Sequence, residues 1–183
     1  MYKNIILSAS IMCIDWRDTA RALNDLEESK FIDFFHYDIV DGIFAPDFTM
    51  GSSIINSFNS AINLPCDYHL MVDEPKRIFD MFNLNNDDMF TIHQESSRNL
   101  HRDLVKIKEL GAKVGVALAP STTLDVLEYI IEDIDHIILL TVNPGYKGQP
   151  FIPQIINKIK KLKLMKKNNN LNFKISVDGN VNK

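Results

Sequence analysis

The 183-residue chain has little cysteine, no long apolar run and no strong charge of either sign. Each shortage removes a class of protein. The two cysteines, Cys13 and Cys66, fit no disulfide framework of a small secreted domain, so free thiols and a cytoplasmic setting are the expectation. No apolar stretch approaches the ~20 residues that cross a bilayer. The N-terminal MYKNIILSAS is too short and too polar at its flanks for a secretory signal, and reads as a first strand. A net charge of −4 gives no general attraction to nucleic acid or to an anionic membrane. Two phosphate-cradling signatures are also missing: no GxGxxG follows the first strand, and GxxxxGK followed by Ser or Thr occurs nowhere.

What is present suits one domain with a sizeable core, and the 45% apolar content is ordinary for a globular chain. Short apolar runs occur at Ile5–Ser10, Phe34–Asp38, Cys66–Met71, Met89–His93, Lys113–Leu118, His136–Thr141 and Lys174–Val177. Amphipathic stretches of helical period lie between them, among them TARALNDLEE, RDLVKIKEL and TLDVLEYIIED. Asp18 and the run Ser121, Thr122, Thr123 stand where helix N-caps belong, and Gly111 where a C-cap belongs. The lysine-rich NKIKKLKLMKKNNN carries six lysines and no acid, with Ile156, Ile159, Leu162 and Met165 recurring every three positions. That pattern predicts a helix with one buried face and one solvated face rather than a nucleic-acid patch. Buried strands alternating with helices predict a parallel sheet with helical crossovers. Seven strands exceed the usual open doubly wound sheet, so a (β/α)8 barrel fits best.

Catalytic residues of such barrels lie at the C-terminal ends of the strands. FFHYDIVDG, residues 34–42, places His36 and Asp38 two apart, on one face of a strand. Ser10, His69 and Asp178 occupy strand ends as well. Two histidines and two carboxylates converging on one mouth form a candidate site for Zn²⁺, Fe²⁺, Mn²⁺ or Co²⁺. A single histidine such as His93 reads more simply as a packed core residue, and a single aspartate as a cap. Four together are harder to dismiss, because burying unpaired carboxylates is costly.

HYDIVDGIFAPDFTMG, DYHLMV, LLTVNPGYKGQPFIP and SVDGNVN resemble, in order and spacing, the signature blocks of the ribulose-phosphate 3-epimerase family, and SASIMCIDW is similar to its first-strand block. The resemblance runs from about residue 5 to the end of the chain. It implies a TIM-type barrel that binds one divalent metal, most often zinc, and a sugar phosphate, and that commonly assembles as a homo-oligomer. It implies His36, Asp38, His69 and Asp178 as metal ligands, and Asp38 and Asp178 as the acid/base pair. It further implies substrate contacts from Ser10, His69 and Met71 and from the loop Gly145, Tyr146, Lys147 and Gly148. NPGYKGQ after strand six and DGN after strand seven, with Gly148, Gly179 and Asn180, read either as plain turns or, at the catalytic mouth, as backbone N–H donors to a phosphate. The implied reaction interconverts D-ribulose 5-phosphate and D-xylulose 5-phosphate by inversion at C3 through an enediolate.

The chain departs from that pattern in places. PGYKG stands where the family usually has PGFGG, VDGN where it has VDGG, and Val40 and Leu140 where methionine is common. SIMCID, GQPFIP and VDGN lean towards the branch acting on D-allulose 6-phosphate. A non-catalytic remnant that binds a sugar phosphate is a third reading. Lys183 falls five residues after Asp178 with no eighth strand between, so the expectation is one barrel domain over 1–183 without its C-terminal βα unit.

Overall fold

The seven apolar runs become the seven strands of one parallel sheet in the computed structural model, which describes residues 5–145 and 148–182. They are β1 (Ser8–Ser10), β2 (Phe34–Val40), β3 (Cys66–Met71), β4 (Met89–His93), β5 (Lys113–Leu118), β6 (His136–Leu140) and β7 (Lys174–Asp178). Each strand pairs in parallel with the next, in chain order. The α-helices are α1 (Thr19–Ser29), α2 (Ser52–Asn59), α3 (Leu100–Glu109) and α4 (Ile155–Asn168). The crossover from β3 to β4 is a 3₁₀ segment, Pro75–Met81, and that from β5 to β6 holds two short 3₁₀ turns, Leu124–Leu127 and Ile131–Asp133.

The sheet curls. Asp178 Oδ2 on β7 lies 3.8 Å from His36 Nε2 on β2, although five strand-to-strand steps separate those strands along the sheet. A flat sheet with strands about 4.8 Å apart would hold them more than 20 Å apart. Among the described residues β1 and β7 do not pair, and the space between them is the one an eighth strand fills in a closed barrel. The architecture is thus a TIM-like α/β barrel lacking the eighth strand.

The two faces of each strand have different jobs. Phe35, Tyr37 and Ile39 of β2, with Tyr68 and Leu70 of β3, point outward into the core shared with Leu104 and Ile107 of α3 and Leu162 of α4. Each such side chain contributes roughly 1.5–3 kcal/mol by leaving water. The alternate positions point inward, and there the chain buries His36, Asp38, Asp67, His69, His93 and His136.

Several expectations shift in detail. β1 begins at Ser8, and Ile5, Ile6 and Leu7 ahead of it are exposed. The stretch TLDVLEYIIED forms 3₁₀ turns instead of an α-helix. Leu124, Leu127, Ile131 and Ile134 recur at nearly threefold spacing, which suits the tighter helix, and Tyr129 is left in solvent. Asp18 sits at the N-cap of α1 without a side-chain cap, whereas Asp15 accepts from Arg17 N at 3.0 Å. In α4, Ile155 is buried and Ile156 is exposed. Gly111 does close α3, with φ of 90° and its N–H on the Lys108 carbonyl at 3.1 Å. Both cysteines are free, Cys13 exposed and Cys66 buried. Among the described residues no helix is long and apolar enough to cross a membrane.

Candidate active site

The site grows from two short mirror-image sequences. HYD on β2 (36–38) and DYH on β3 (67–69) pair in register, His36 opposite Asp67 and Asp38 opposite His69. Each imidazole therefore faces a carboxylate across the strand gap. His36 Nδ1 lies 2.9 Å from Asp67 Oδ2, and His36 Nε2 lies 3.2 Å from Asp38 Oδ1. Ser10, opposite His36 on β1, donates its hydroxyl to Asp38 Oδ2 at 2.8 Å.

β7 closes the cluster from the other side. Asp178 Oδ2 is 3.3 Å from His69 Nδ1, and Asp38 Oδ1 is 3.4 Å from the same nitrogen. The Asp178 backbone is pinned to β6, its carbonyl accepting from Thr141 N at 2.7 Å and from Thr141 Oγ1 at 2.8 Å. One ligand atom from each of His36, Asp38, His69 and Asp178 falls within 4.8 Å of all the others. The four are unequal in access: the Asp38 side chain is 8% exposed and that of Asp178 31%.

The electrostatics of this cluster call for positive charge. Burial resists charging His36, yet Asp38 and Asp67 outweigh it and raise its pKa well above the ordinary imidazole value. Burial likewise opposes charge on His69, and Asp178 and Asp38 overcome it, lifting that pKa to about 9. Asp38 moves the other way: burial favours its neutral form, but His36 and His69 hold it well below the usual carboxylate range. A divalent cation satisfies the same demand in place of the protons. The donor set fits one, since His69 Nδ1 is fully buried and has no hydrogen-bond partner of good geometry. Two imidazole nitrogens and two carboxylate oxygens suit zinc or a similar ion.

Above the cluster lies a cavity of about 420 Å³. Ser10, Asp38, Met71, Gly145, Gly148 and Asp178 line it, as do Gly179 and Asn180, and His69 lies beneath, fully buried. Gly179 has φ of 105°, and a Cβ there would come within 2.5 Å of Val142 Cγ2, so the turn after β7 needs glycine. Tyr146 and Lys147 lie outside the described residues.

Sequence patterning missed the layer behind the cluster. Asp67 backs His36; His93 and Glu95 back His69; His136 and Ser176 complete the inner face, His136 Nε2 lying 2.6 Å from Ser176 Oγ. The signal was present in the mirrored HYD and DYH and in the alternation of polar residues along β3 and β4. His93, expected as a packed core residue, is fully buried and hydrogen-bonded, outside the four-residue cluster but in contact with it.

Fold and cluster together define an α/β-barrel protein with a two-histidine, two-aspartate metal-type site at the C-terminal mouth. The Ribulose-phosphate 3 epimerase family model matches residues 6–183. Similar proteins include the ribulose-phosphate 3-epimerase of Bacillus subtilis, 38% identical over 180 residues, spanning 98% of this chain and 82% of that protein. The protein of that name from Synechocystis is 37% identical, over 99% of this chain and 79% of its own length. The one from Methanocaldococcus jannaschii is 39% identical, over 97% of this chain and 75% of its own. The chain belongs to the ribulose-phosphate 3-epimerase family.

Proposed function

We propose that the chain epimerises a ketose phosphate at C3, interconverting D-ribulose 5-phosphate and D-xylulose 5-phosphate. The observation that carries this is the pair of carboxylates, Asp38 from β2 and Asp178 from β7, gathered with His36 and His69 and both lining the cavity. Inverting a carbon beside a carbonyl requires one group to remove its proton and another to return one to the opposite face. Asp38 is suited to start as base: it is buried, held ionised by His36 and His69, and oriented by the Ser10 hydroxyl. Asp178 is more open to the cavity and suited to start as acid, with the roles exchanged for the other epimer. His36, Asp38, His69 and Asp178 would hold a divalent ion, Zn²⁺ by preference, which when bound stabilises negative charge on the substrate oxygens as a Lewis acid. Met71 and Leu140 bound the cavity with apolar surface, and Gly145, Gly148, Gly179 and Asn180, which also line it, would offer backbone N–H groups to the phosphate.

The test is deuterium incorporation at C3 in D₂O, followed by NMR on the Zn²⁺-loaded protein. D-ribulose 5-phosphate should exchange. Asp38→Asn and Asp178→Asn should each abolish exchange, and a fully active Asp178→Asn would sink the two-carboxylate scheme. A second reading, D-allulose 6-phosphate as substrate, draws on Asn180, which lines the cavity where the family usually has glycine. Faster exchange of the hexulose phosphate would favour it, and no exchange with either sugar would leave a non-catalytic sugar-phosphate-binding relative. Homo-oligomeric assembly and a cytoplasmic location belong to the same proposal, and sedimentation velocity checks the first.

A further inference from the structure

His69 meets the ligand cluster with Nδ1, whereas His36 meets it with Nε2. The two imidazoles thus present opposite nitrogens, and what stands behind each differs. His36 has the Asp67 carboxylate at Nδ1, an acceptor only. His69 has another histidine: its Nε2 lies 2.9 Å from Nε2 of His93, and the two ring planes are within 25° of each other with centroids 5.0 Å apart. One of two facing imidazole nitrogens must donate and the other accept. Nothing in the pair itself decides which.

Glu95 decides it. His93 Nδ1 lies 3.1 Å from Glu95 Oε2. The other carboxylate oxygen, Oε1, accepts from the Ala119 backbone N–H at 2.8 Å and from the Thr122 hydroxyl. The Ala119 N–H cannot reverse its role, and Lys158 Nζ holds the Ala119 carbonyl at 2.8 Å, which steadies that loop. The Phe44 ring packs against His93 with centroids 4.7 Å apart. An ionised carboxylate can only accept, so His93 carries its proton on Nδ1 and offers a lone pair at Nε2. His69 must then donate from Nε2, which makes Nδ1, the nitrogen facing Asp38 and Asp178, the one that yields its proton to a cation.

We infer that Glu95 and His93 are positioning residues, a relay that fixes the His69 tautomer so that Nδ1 is free to bind the metal ion. This rests on the proposal that His69 is a ligand. Outer partners of this kind typically carry 10–100-fold in metal affinity.

Glu95→Gln isolates the effect from packing, because the side chain keeps its size and shape. Its amide oxygen must serve the Ala119 N–H, so its NH₂ faces His93. His93 is then forced to accept at Nδ1 and to donate from Nε2, and His69 is left with its proton on the metal-facing nitrogen. The Zn²⁺ dissociation constant of the full chain, measured by competition with a chromophoric chelator on the folded protein, should rise 10–100-fold in Glu95→Gln. A purely structural Glu95 predicts lost stability alone, with unchanged affinity for Zn²⁺. Unchanged affinity in a folded variant overturns the relay, and failure of the wild-type chain to bind Zn²⁺ removes the ligand set and the relay with it. If the variant does not fold, ¹⁵N-histidine NMR of the Zn²⁺-loaded wild type decides. His93, recognised by its contact with Phe44, should show a protonated Nδ1, and a protonated Nε2 would refute the assignment.

Discussion

Burying six ionisable side chains inside one curled sheet is costly unless each finds a partner, and the pairing of HYD with DYH supplies most of them. What the pairing leaves over marks the site: His69 Nδ1, with carboxylate oxygens of Asp38 and Asp178 gathered around it. Exhaustive dialysis against a chelator should therefore remove C3 exchange, and added Zn²⁺ should restore it; activity that survives metal removal would point to a metal-independent mechanism. Beside the cluster, Thr91 stands next to His69 and faces Gly115 across the β4–β5 gap. A Cβ on Gly115 would lie 2.0 Å from Thr91 Oγ1 and 2.9 Å from Thr91 Cα, so neither a rotamer change nor a small shift relieves it. Gly115→Ala should cost about 1–3 kcal/mol of stability by overpacking, read as a lower urea midpoint.

Among the elements, the connections vary far more than the strands. Strands β2 to β7 carry apolar outward faces, while the crossovers range from the 14-residue α4 to the two short 3₁₀ turns between β5 and β6. The lysines of α4 mostly lie in solvent, as the spacing predicted, but Lys158 and Lys166 reach back to the carbonyls of Ala119 and Phe173. α1 ends at Lys30, whose φ of 55° is left-handed, a conformation costing a non-glycine residue roughly 1–2 kcal/mol. Lys30→Gly should raise the stability of the chain by up to about 1 kcal/mol, with the flexibility of glycine in the unfolded chain offsetting the rest. Chemical denaturation measures it, and an unchanged or lower midpoint would show that the Lys30 side chain contributes more than its strain.

Across the whole molecule, carboxylates tie separate segments together by accepting backbone N–H groups. Glu27 accepts from Asn63 N and Leu64 N at 2.6 and 2.9 Å; Asp41 accepts from Ile43, Phe44 and Asp73 N at 2.8–2.9 Å; Glu95 holds Ala119. Burial opposes ionisation at all three, yet these bonds lower each pKa, that of Glu95 to about 2 with help from His93. A carboxylate with a depressed folded pKa stabilises the fold fully above its unfolded value, and that contribution is lost as pH falls through the folded value. For Glu95 the window runs from the ordinary 4.5 down to about 2. The thermal midpoint should fall steeply over that range, and Glu95→Gln should flatten the slope; an equally steep variant would assign the acid sensitivity elsewhere.

Strand existence, order and direction were legible in the chain, because alternation of apolar runs with helical periods follows from local chemistry. So were His36, Asp38, His69 and Asp178, whose residue types are expensive to bury without a purpose. The curl of the sheet was not legible: it depends on how much apolar surface each crossover lays against the outer face, and it alone brings β7 within reach of β2. Nor was the proton arrangement behind His69. His93 looks like any buried histidine until register places it 2.9 Å from His69 and the β5 loop swings Ala119 onto Glu95. Hydrogen-bond direction across three residues on separate segments is a property of distances between elements, and only the tertiary structure sets those.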